Sequence, residues 1–286
     1  MFLSPRTDGR IAFALFSVAV GFAIPAQAAQ ATPKCCVWRV TNAKAPFYLV
    51  GSVHALTKDD YPLPSPYEIA LKDAKRFLFE FDPTRQAEFE KKLNAVAKYP
   101  PTVNGDPRRG KKSHGADFDS APGYKPWWIA QHVVDKSAYS NVSACPGLDD
   151  YFLARAQRMG REIGGLESVD EHVAVLGGLS DRDGEIMLRD ALDPYNNSEA
   201  EFNRMRKAWR KGDTAALWAR DARLRKKAPW IAARFVDERN RKWVPRIEAE
   251  LERGKPTAIV AGALHFSGPN SIVKLLEKRG YKIEQL

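Results

Sequence analysis

Four short apolar runs, each handing over to a stretch of helical spacing, constrain the fold of this chain more than any other feature. Phe47-Tyr48-Leu49-Val50 is apolar and aromatic-rich, ends at Gly51, and reads as a buried strand. Arg76 to Phe81 is a second strand, closed by Asp82-Pro83. Glu162 to Leu166 is a weaker third that leads to Glu167, and Thr257 to Gly262 is the clearest. Between them, Ser65-Pro66-Tyr67-Glu68 places Ser at an N-cap and Pro at the first helical position, for a helix reaching about Lys75. Pro126-Trp127-Trp128 opens another helix. Leu148, Phe152, Ala156 and Met159 recur at spacings of three and four and mark a helix ending near Gly160. Ser168 and Glu171 form a capping box for a helix through Val173 and Leu176. From Glu201 onward Phe202, Met205 and Trp209 share a face, as do Ile231 with Phe235 and Trp243 with Ile247 and Leu251. A helix from Pro269 to Arg279 and a strand from Tyr281 to Leu286 close the chain. Strands alternating with helices predict an α/β or mixed α+β fold.

The 286 residues are enough for one large domain or two small ones, with a core that needs neither disulfides nor metals merely to fold. No repeat of about 20–50 residues is present, which argues against a solenoid. Arg6 and Arg10, the apolar run Ile11 to Ile24 and Ala26-Gln27-Ala28 compose a secretory signal peptide, residues 1–28, cut after Ala28. No later stretch of about 18 apolar residues follows, so no stable membrane span is expected after cleavage. The expected location is the periplasm or the cell exterior. In such a compartment Cys145 could pair with Cys35 or Cys36, or all three cysteines could stay free thiols.

Lys and Arg number 45 against 35 Asp and Glu, a net charge of +10. Sixteen basic and eight acidic residues lie between Glu201 and Arg253, so 16 − 8 = +8 of that excess sits in a basic helical subregion, 200–253. Its default reading is a solvated outer face, with contact to anionic lipid or acidic polysaccharide as the functional alternative. Nucleic acid is excluded as a partner by the export signal and the lack of a binding module. Residues 99–126, from Pro100 to Pro126 rich in Gly, Pro, Lys and Asp, read as a loop-rich insertion in a domain covering 36–286.

His54, Glu80, Glu167 and His265 each lie at or just beyond the end of an expected strand. If those strands are parallel, their carboxyl ends meet at one sheet edge, where open α/β sheets bind ligands. Two imidazoles and one or two carboxylates suit a divalent metal, whose open position would hold an activated water. Gly51-Ser52-Val53-His54 and Gly262-Ala263-Leu264-His265 are two Gly-x-x-His elements, each after an apolar strand. Glu80 interrupts an apolar strand, so it needs a metal, an arginine or exposure. Arg239-Asn240 lies within a charged helical run, where most arginines face solvent. His114, His132 and His172 have no such context and read as loop, surface or helix-packing residues. A Gly-x-Ser-x-Gly elbow, a His-Glu-x-x-His helix, a P-loop and a Gly-x-Gly-x-x-Gly turn are all missing, which disfavours those chemistries.

At these residues the chain resembles the TraB/PrgY/GumN family, relatives of the Tiki metalloproteases, and in particular its bacterial GumN-like branch. The resemblance is carried by Tyr48 to His54, by Phe79-Glu80, and by Gly147-Leu148-Asp149-Asp150 and Gly165-Leu166-Glu167-Ser168. Glu238-Arg239-Asn240 and Val260 to Pro269 extend it, as does the Gly280-Tyr281 ending. It implies a central sheet flanked by helices, similar to the erythromycin-esterase and ChaN-like group, to which the long helical run after Glu201 would add a helical cap region or subdomain. It further implies a metal-dependent peptidase site in which His54, His265 and Glu80 bind Mn²⁺, Co²⁺ or Zn²⁺. Glu167 would be a further ligand or a base acting on the water. Arg239 matches the family arginine and would stabilise an oxyanion or orient Glu80. The segment from Pro100 to Pro126 departs from the family pattern.

The leading expectation is therefore an exported metal-dependent hydrolase acting on a peptide or polymer substrate. The rival is a non-catalytic periplasmic protein binding a peptide, a glycan or haem, linked to polysaccharide or signalling systems.

Overall fold

The computed structural model describes residues 34–100, 123–139, 145–193 and 199–286. The expected signal peptide and residues 101–122, the body of the expected insertion, lie outside them. In chain order the elements are β1 (Val37–Val40), β2 (Phe47–Ser52), β3 (Ala55–Leu56), α1 (Ser65–Asp73), β4 (Arg76–Phe81), α2 (Gln86–Ala97), α3 (Pro126–Tyr139), β5 (Cys145–Pro146), α4 (Leu148–Arg158) and β6 (Glu162–Glu167). They continue with α5 (Val169–Gly177), α6 (Asp181–Leu192), α7 (Glu199–Arg210), α8 (Thr214–Lys227), α9 (Pro229–Ala232), α10 (Glu238–Arg253), β7 (Thr257–Gly262), α11 (Ile272–Glu277) and β8 (Ile283–Gln285). A π-helical turn, Ala233–Asp237, joins α9 to α10, and a 3₁₀ turn, Ala263–Phe266, follows β7.

Six strands form one sheet in the order β6-β4-β7-β2-β1-β8, and β3 pairs with β5 in a separate two-stranded piece. The neighbours β6, β4, β7 and β2 are mutually parallel, while β1 runs antiparallel to both β2 and β8. This is a mixed α/β architecture with helices flanking the sheet. All six residues of β2 are buried, and five of the six in β7. A central parallel strand covered on both sides has no wet face, so its sequence runs apolar continuously instead of alternating. That is why Phe47–Val50 and Thr257–Ala261 were conspicuous in the sequence.

The register brings the ends of the strands level. Ser52 pairs with Gly262, and Phe81 with Glu167. Two glycines permit close approach beside these ends. A Cβ on Gly165 would lie 2.4 Å from the Asp82 amide nitrogen, and one on Gly147 would lie 2.5 Å from the His54 carbonyl oxygen. Neither backbone could yield cheaply, so glycine is required where β6 passes β4 and where α4 begins under the His54 segment. Trp209, wholly buried, donates its indole N–H to the Gly51 carbonyl at 2.8 Å and ties α7 to the end of β2.

Several local expectations need adjusting. Helix α1 starts at Ser65 itself, with Pro64 in the cap position. The last helix is shorter than Pro269 to Arg279, because Gly268 has φ +80° and Ser271 caps the helix at the Lys274 amide. The closing strand covers only Ile283–Gln285. The ends of the 99–126 segment are pinned together by a bridge between Lys98 and Tyr124. The basic subregion is only partly a solvated face. Arg225 binds Asp221 and Asp237, Arg206 binds the fully buried Asp60, and Arg239 is itself buried. The three cysteines are free thiols. Burial pushes the Cys35 thiol up to about 12 and Cys36 further, so both remain protonated.

Candidate functional site

Parallel pairing delivers the carboxyl ends of β2, β4, β6 and β7 to one edge of the sheet, and with them His54, Glu80, Glu167 and His265. A cavity of about 470 Å³ opens there. Its sheet side is lined by Ser52, His54, Glu80, Arg239, Gly262 and His265. Glu167 is not among the lining residues.

Arg239 lies between two carboxylates. Its Nη2 donates to Glu80 Oε2 and to Glu167 Oε1, each at 2.6 Å, while Nε donates to Glu167 Oε2 at 3.2 Å. All three groups are largely withdrawn from water, with side chains 9%, 20% and 4% exposed for Arg239, Glu80 and Glu167. One guanidinium against two carboxylates leaves a negative charge to be met by hydrogen bonds. The Gly262 amide supplies one to Glu80 Oε1 at 2.9 Å, and the Trp243 indole supplies one to Glu167 Oε2 at 2.9 Å. Burial alone would raise the Glu80 carboxyl. Arg239 foremost, with His265, His172 and the Gly262 amide, outweighs burial and holds it well below the usual carboxylate range. Glu167 is opposed by burial in the same way and is also lowered, through His172 and Arg239. Both carboxylates are thus ionised, and Arg239 stays charged despite its burial because both face it.

The adjacent residue on α10 sets the state of His265. Asn240 Nδ2 donates to the backbone carbonyls of His265 at 3.2 Å and Asn270 at 2.9 Å, which leaves Oδ1 facing His265 Nδ1 at 2.6 Å. Nδ1 therefore carries the proton, and Nε2 presents a lone pair. Nε2 accepts from Arg239 Nη1 at 3.4 Å and stands 3.7 Å from Glu80 Oε1. Burial first, and Arg239 second among the lowering influences, depress the imidazole to about 4, against the opposing pull of Glu80. The ring is neutral at physiological pH.

His54 shares the cavity but not this cluster. Its side chain is 80% exposed, and Nδ1 faces Asp149 Oδ2 at 3.5 Å. Among the described residues no three His, Cys, Asp or Glu side chains gather as a metal-holding group. Glu80 and His265 gather closely, and His54 remains at the cavity wall.

Three neighbours had been given no part in this site from the sequence. His172, expected to be a surface or packing residue, has Nδ1 2.5 Å from Glu167 Oε1 and its ring stacked on Phe81, with centroids 4.6 Å apart. An ionised carboxylate only accepts, so His172 Nδ1 donates. Trp243 holds Glu167 and packs on both Arg239 and His265. Asn240 orients His265. Trp243 lies four residues beyond Arg239, one helical turn along the same face, and that spacing was the available signal. His132, by contrast, stacks on Trp128 within α3, and His114 lies outside the described residues.

The model of the TraB/PrgY/gumN family matches residues 36–285. The chain belongs to this family. No curated protein and no solved structure matches it. The matched span includes every strand of the six-stranded sheet and all the residues around Arg239, so the buried ionic cluster of this TraB/PrgY/gumN member lies within the family domain and not in an appended segment.

Proposed function

We propose that this chain is an exported hydrolase of peptides, with its reacting centre at the Glu80–His265 edge of the cavity. The observation that carries the reading is the pairing of an ionised carboxylate with a neutral imidazole lone pair, 3.7 Å apart, at the cavity's sheet wall. Such a pair can hold and orient a water; both are weak bases at neutral pH, so proton loss calls for a water whose own pKa is lowered, as a bound cation would do.

The donor set suits a divalent metal at two positions. Bonds of about 2.0–2.2 Å from each donor can span the distance between Glu80 Oε1 and His265 Nε2. His265 has the neutral Nε2 and anchored Nδ1–H typical of a ligating histidine, with Asn240 as the anchor. His54, on the same cavity wall, would be the third donor. A bound ion supplies a water of lowered pKa and polarises a carbonyl.

The protein's own groups do the rest. Glu80, held by the Gly262 amide and Arg239, is oriented to accept the proton of water. Arg239 Nη1, beside His265 Nε2, presents a cation where an oxyanion would develop. Glu167, Trp243 and His172 are positioning residues that keep Arg239 in place.

Metal content, determined by elemental analysis of chain purified without chelator, and cleavage of a peptide library test the reading together. Wild type should cleave, and both Glu80→Gln and His265→Ala should lose at least a hundred-fold in kcat/KM while keeping a cooperative thermal transition. Full activity in both variants would falsify it. Residues 1–28 are proposed to direct export, with Ala29 as the mature N-terminus, which mass spectrometry of secreted protein checks.

The two-donor arrangement also favours a second reading, a binding protein without turnover. Tight ligand binding combined with no cleavage under any metal would select it.

A further inference from the structure

The cavity has two chemically different walls. Apart from the strand ends, its lining is helical: Met187 of α6, Phe202 and Met205 of α7, Leu217 and Leu224 of α8, and Phe235 of the π-helical turn. Thioether, aliphatic and aromatic groups dominate there. The charged groups on that wall already face opposite charges within the protein. Glu201 meets Arg204 at 2.6 Å and Arg223 at 2.7 Å, with Arg220 at 3.5 Å. Arg206 meets the buried Asp60 at 2.7 Å.

These pairings set the selectivity. An acidic group entering would meet the carboxylates of Glu201 and Asp190 as well as the arginines that Glu201 shares, and would disturb pairs already made. A basic group would approach a glutamate already ringed by three cations. An uncharged apolar group disturbs neither arrangement and covers half-buried apolar surface. A volume of about 470 Å³ falls within the roughly 300–1,000 Å³ of small-ligand pockets. Two methionines on the wall let it adjust to differently shaped apolar groups.

We propose that this helical wall is a side-chain subsite that takes an uncharged apolar residue of leucine to phenylalanine size, next to the bond presented at the sheet wall. The subsite rests on the hydrolase reading for the bond but not for the preference, which is a property of binding.

The experiment measures equilibrium binding of N-acetyl-leucine amide, N-acetyl-phenylalanine amide, N-acetyl-lysine amide and N-acetyl-glutamate amide to the mature chain by isothermal titration. Cleavage of peptides carrying the same residues is followed in parallel. The two apolar amides should bind roughly ten- to a hundred-fold more tightly than the charged pair. Met187→Lys and Leu224→Lys, at half-buried positions, should each erase that ratio with the circular-dichroism spectrum unchanged. Equal binding of all four amides, no binding of any, or a ratio untouched in both lysine variants overturns the subsite. Apolar preference without cleavage upholds the subsite and counts against the hydrolase. Cleavage without preference does the reverse.

Discussion

Asn240 determines which nitrogen of His265 is available for chemistry. Its amide nitrogen is committed to two backbone carbonyls, so its oxygen receives the Nδ1 proton at 2.6 Å and the lone pair is left on Nε2, where Arg239 Nη1 donates to it. Reversing the amide would set Oδ1 against two carbonyl oxygens and Nδ2 against Nδ1, which could accept only if its proton moved to Nε2. The neighbour of Arg239 thus fixes the state of the histidine at this edge of the cavity.

Asn240→Leu should release that constraint. The Nε2–H tautomer of His265 becomes populated, and stability falls by about 1–3 kcal/mol as the ring N–H and two buried carbonyls lose a partner. Long-range ¹H–¹⁵N correlation spectra of the imidazoles report the tautomer directly. A wild-type His265 found already protonated at Nε2 would refute the assignment.

Arg239 supports a heavier load. Replacing it with Met leaves Glu80 and Glu167 buried without their shared cation, so a loss of about 3–5 kcal/mol is expected in urea unfolding at neutral pH. Arg239→Lys should recover only part of this, since one ammonium cannot reproduce donation from both Nη2 and Nε to two carboxylates. Adding Glu167→Gln to Arg239→Met should restore stability by removing one of the stranded charges. A double variant less stable than Arg239→Met alone would contradict this account of the cluster.

The same cluster predicts how the chelator-treated protein responds to acid. Arg239, Glu80, Glu167 and His172 all act on His265, and burial with Arg239 lowers it from an ordinary 6.5 to about 4. Below pH 6.5 the unfolded chain therefore binds a proton that the folded chain refuses, and stability falls as pH drops toward 4. The full difference is on the order of 3 kcal/mol. The lowered pKa values of Glu80 and Glu167 act at more acid pH, where the unfolded carboxylates protonate first, and in the same direction. Urea midpoints between pH 7 and 4 should decline, and His265→Gln should flatten the part between 6.5 and 4.

What the sequence revealed and what it hid follow from the range of each signal. Arg76–Phe81 and the Ser168 capping box are encoded within a few residues, and both occur as read. The convergence of strand ends depended only on β2, β4, β6 and β7 being parallel, which the continuous apolar, doubly covered character of β2 and β7 favours. The first strand, Val37–Val40, escaped because a four-residue run with exposed Arg39 resembles a turn, and its pairing partners lie near residues 50 and 285. The place of His172 depends on how α5 leans over Phe81, and that of Asn240 on how α10 meets the turn after β7. Neither register is written in nearby residues. Arg239 was distinguishable from its charged neighbours only by family resemblance, for in the fold it is the buried member of a helix whose other arginines reach outward.

The last relationship concerns His54, which stands outside the Arg239 cluster. Asp149 Oδ2 is buried without a hydrogen-bond partner, and His54 Nδ1 faces it at 3.5 Å. The contact is built in, because the Gly147 backbone abuts the His54 carbonyl and the Leu148 amide donates to the Val53 carbonyl at 3.0 Å. A carboxylate at that position favours a proton on Nδ1 and directs Nε2 of His54 away from Asp149, the arrangement by which a neighbouring carboxylate supports a ligating histidine. On the proposed metal reading, Asp149→Ala should weaken metal affinity about ten- to a hundred-fold while changing thermal stability little, because the Oδ2 it removes has no hydrogen-bond partner. Titration of chelated protein with Mn²⁺ or Zn²⁺, followed by calorimetry, measures this. An affinity unchanged in Asp149→Ala but lost in His54→Ala would show that His54 binds without help from Asp149. An affinity unchanged in both would remove His54 from the ligand set.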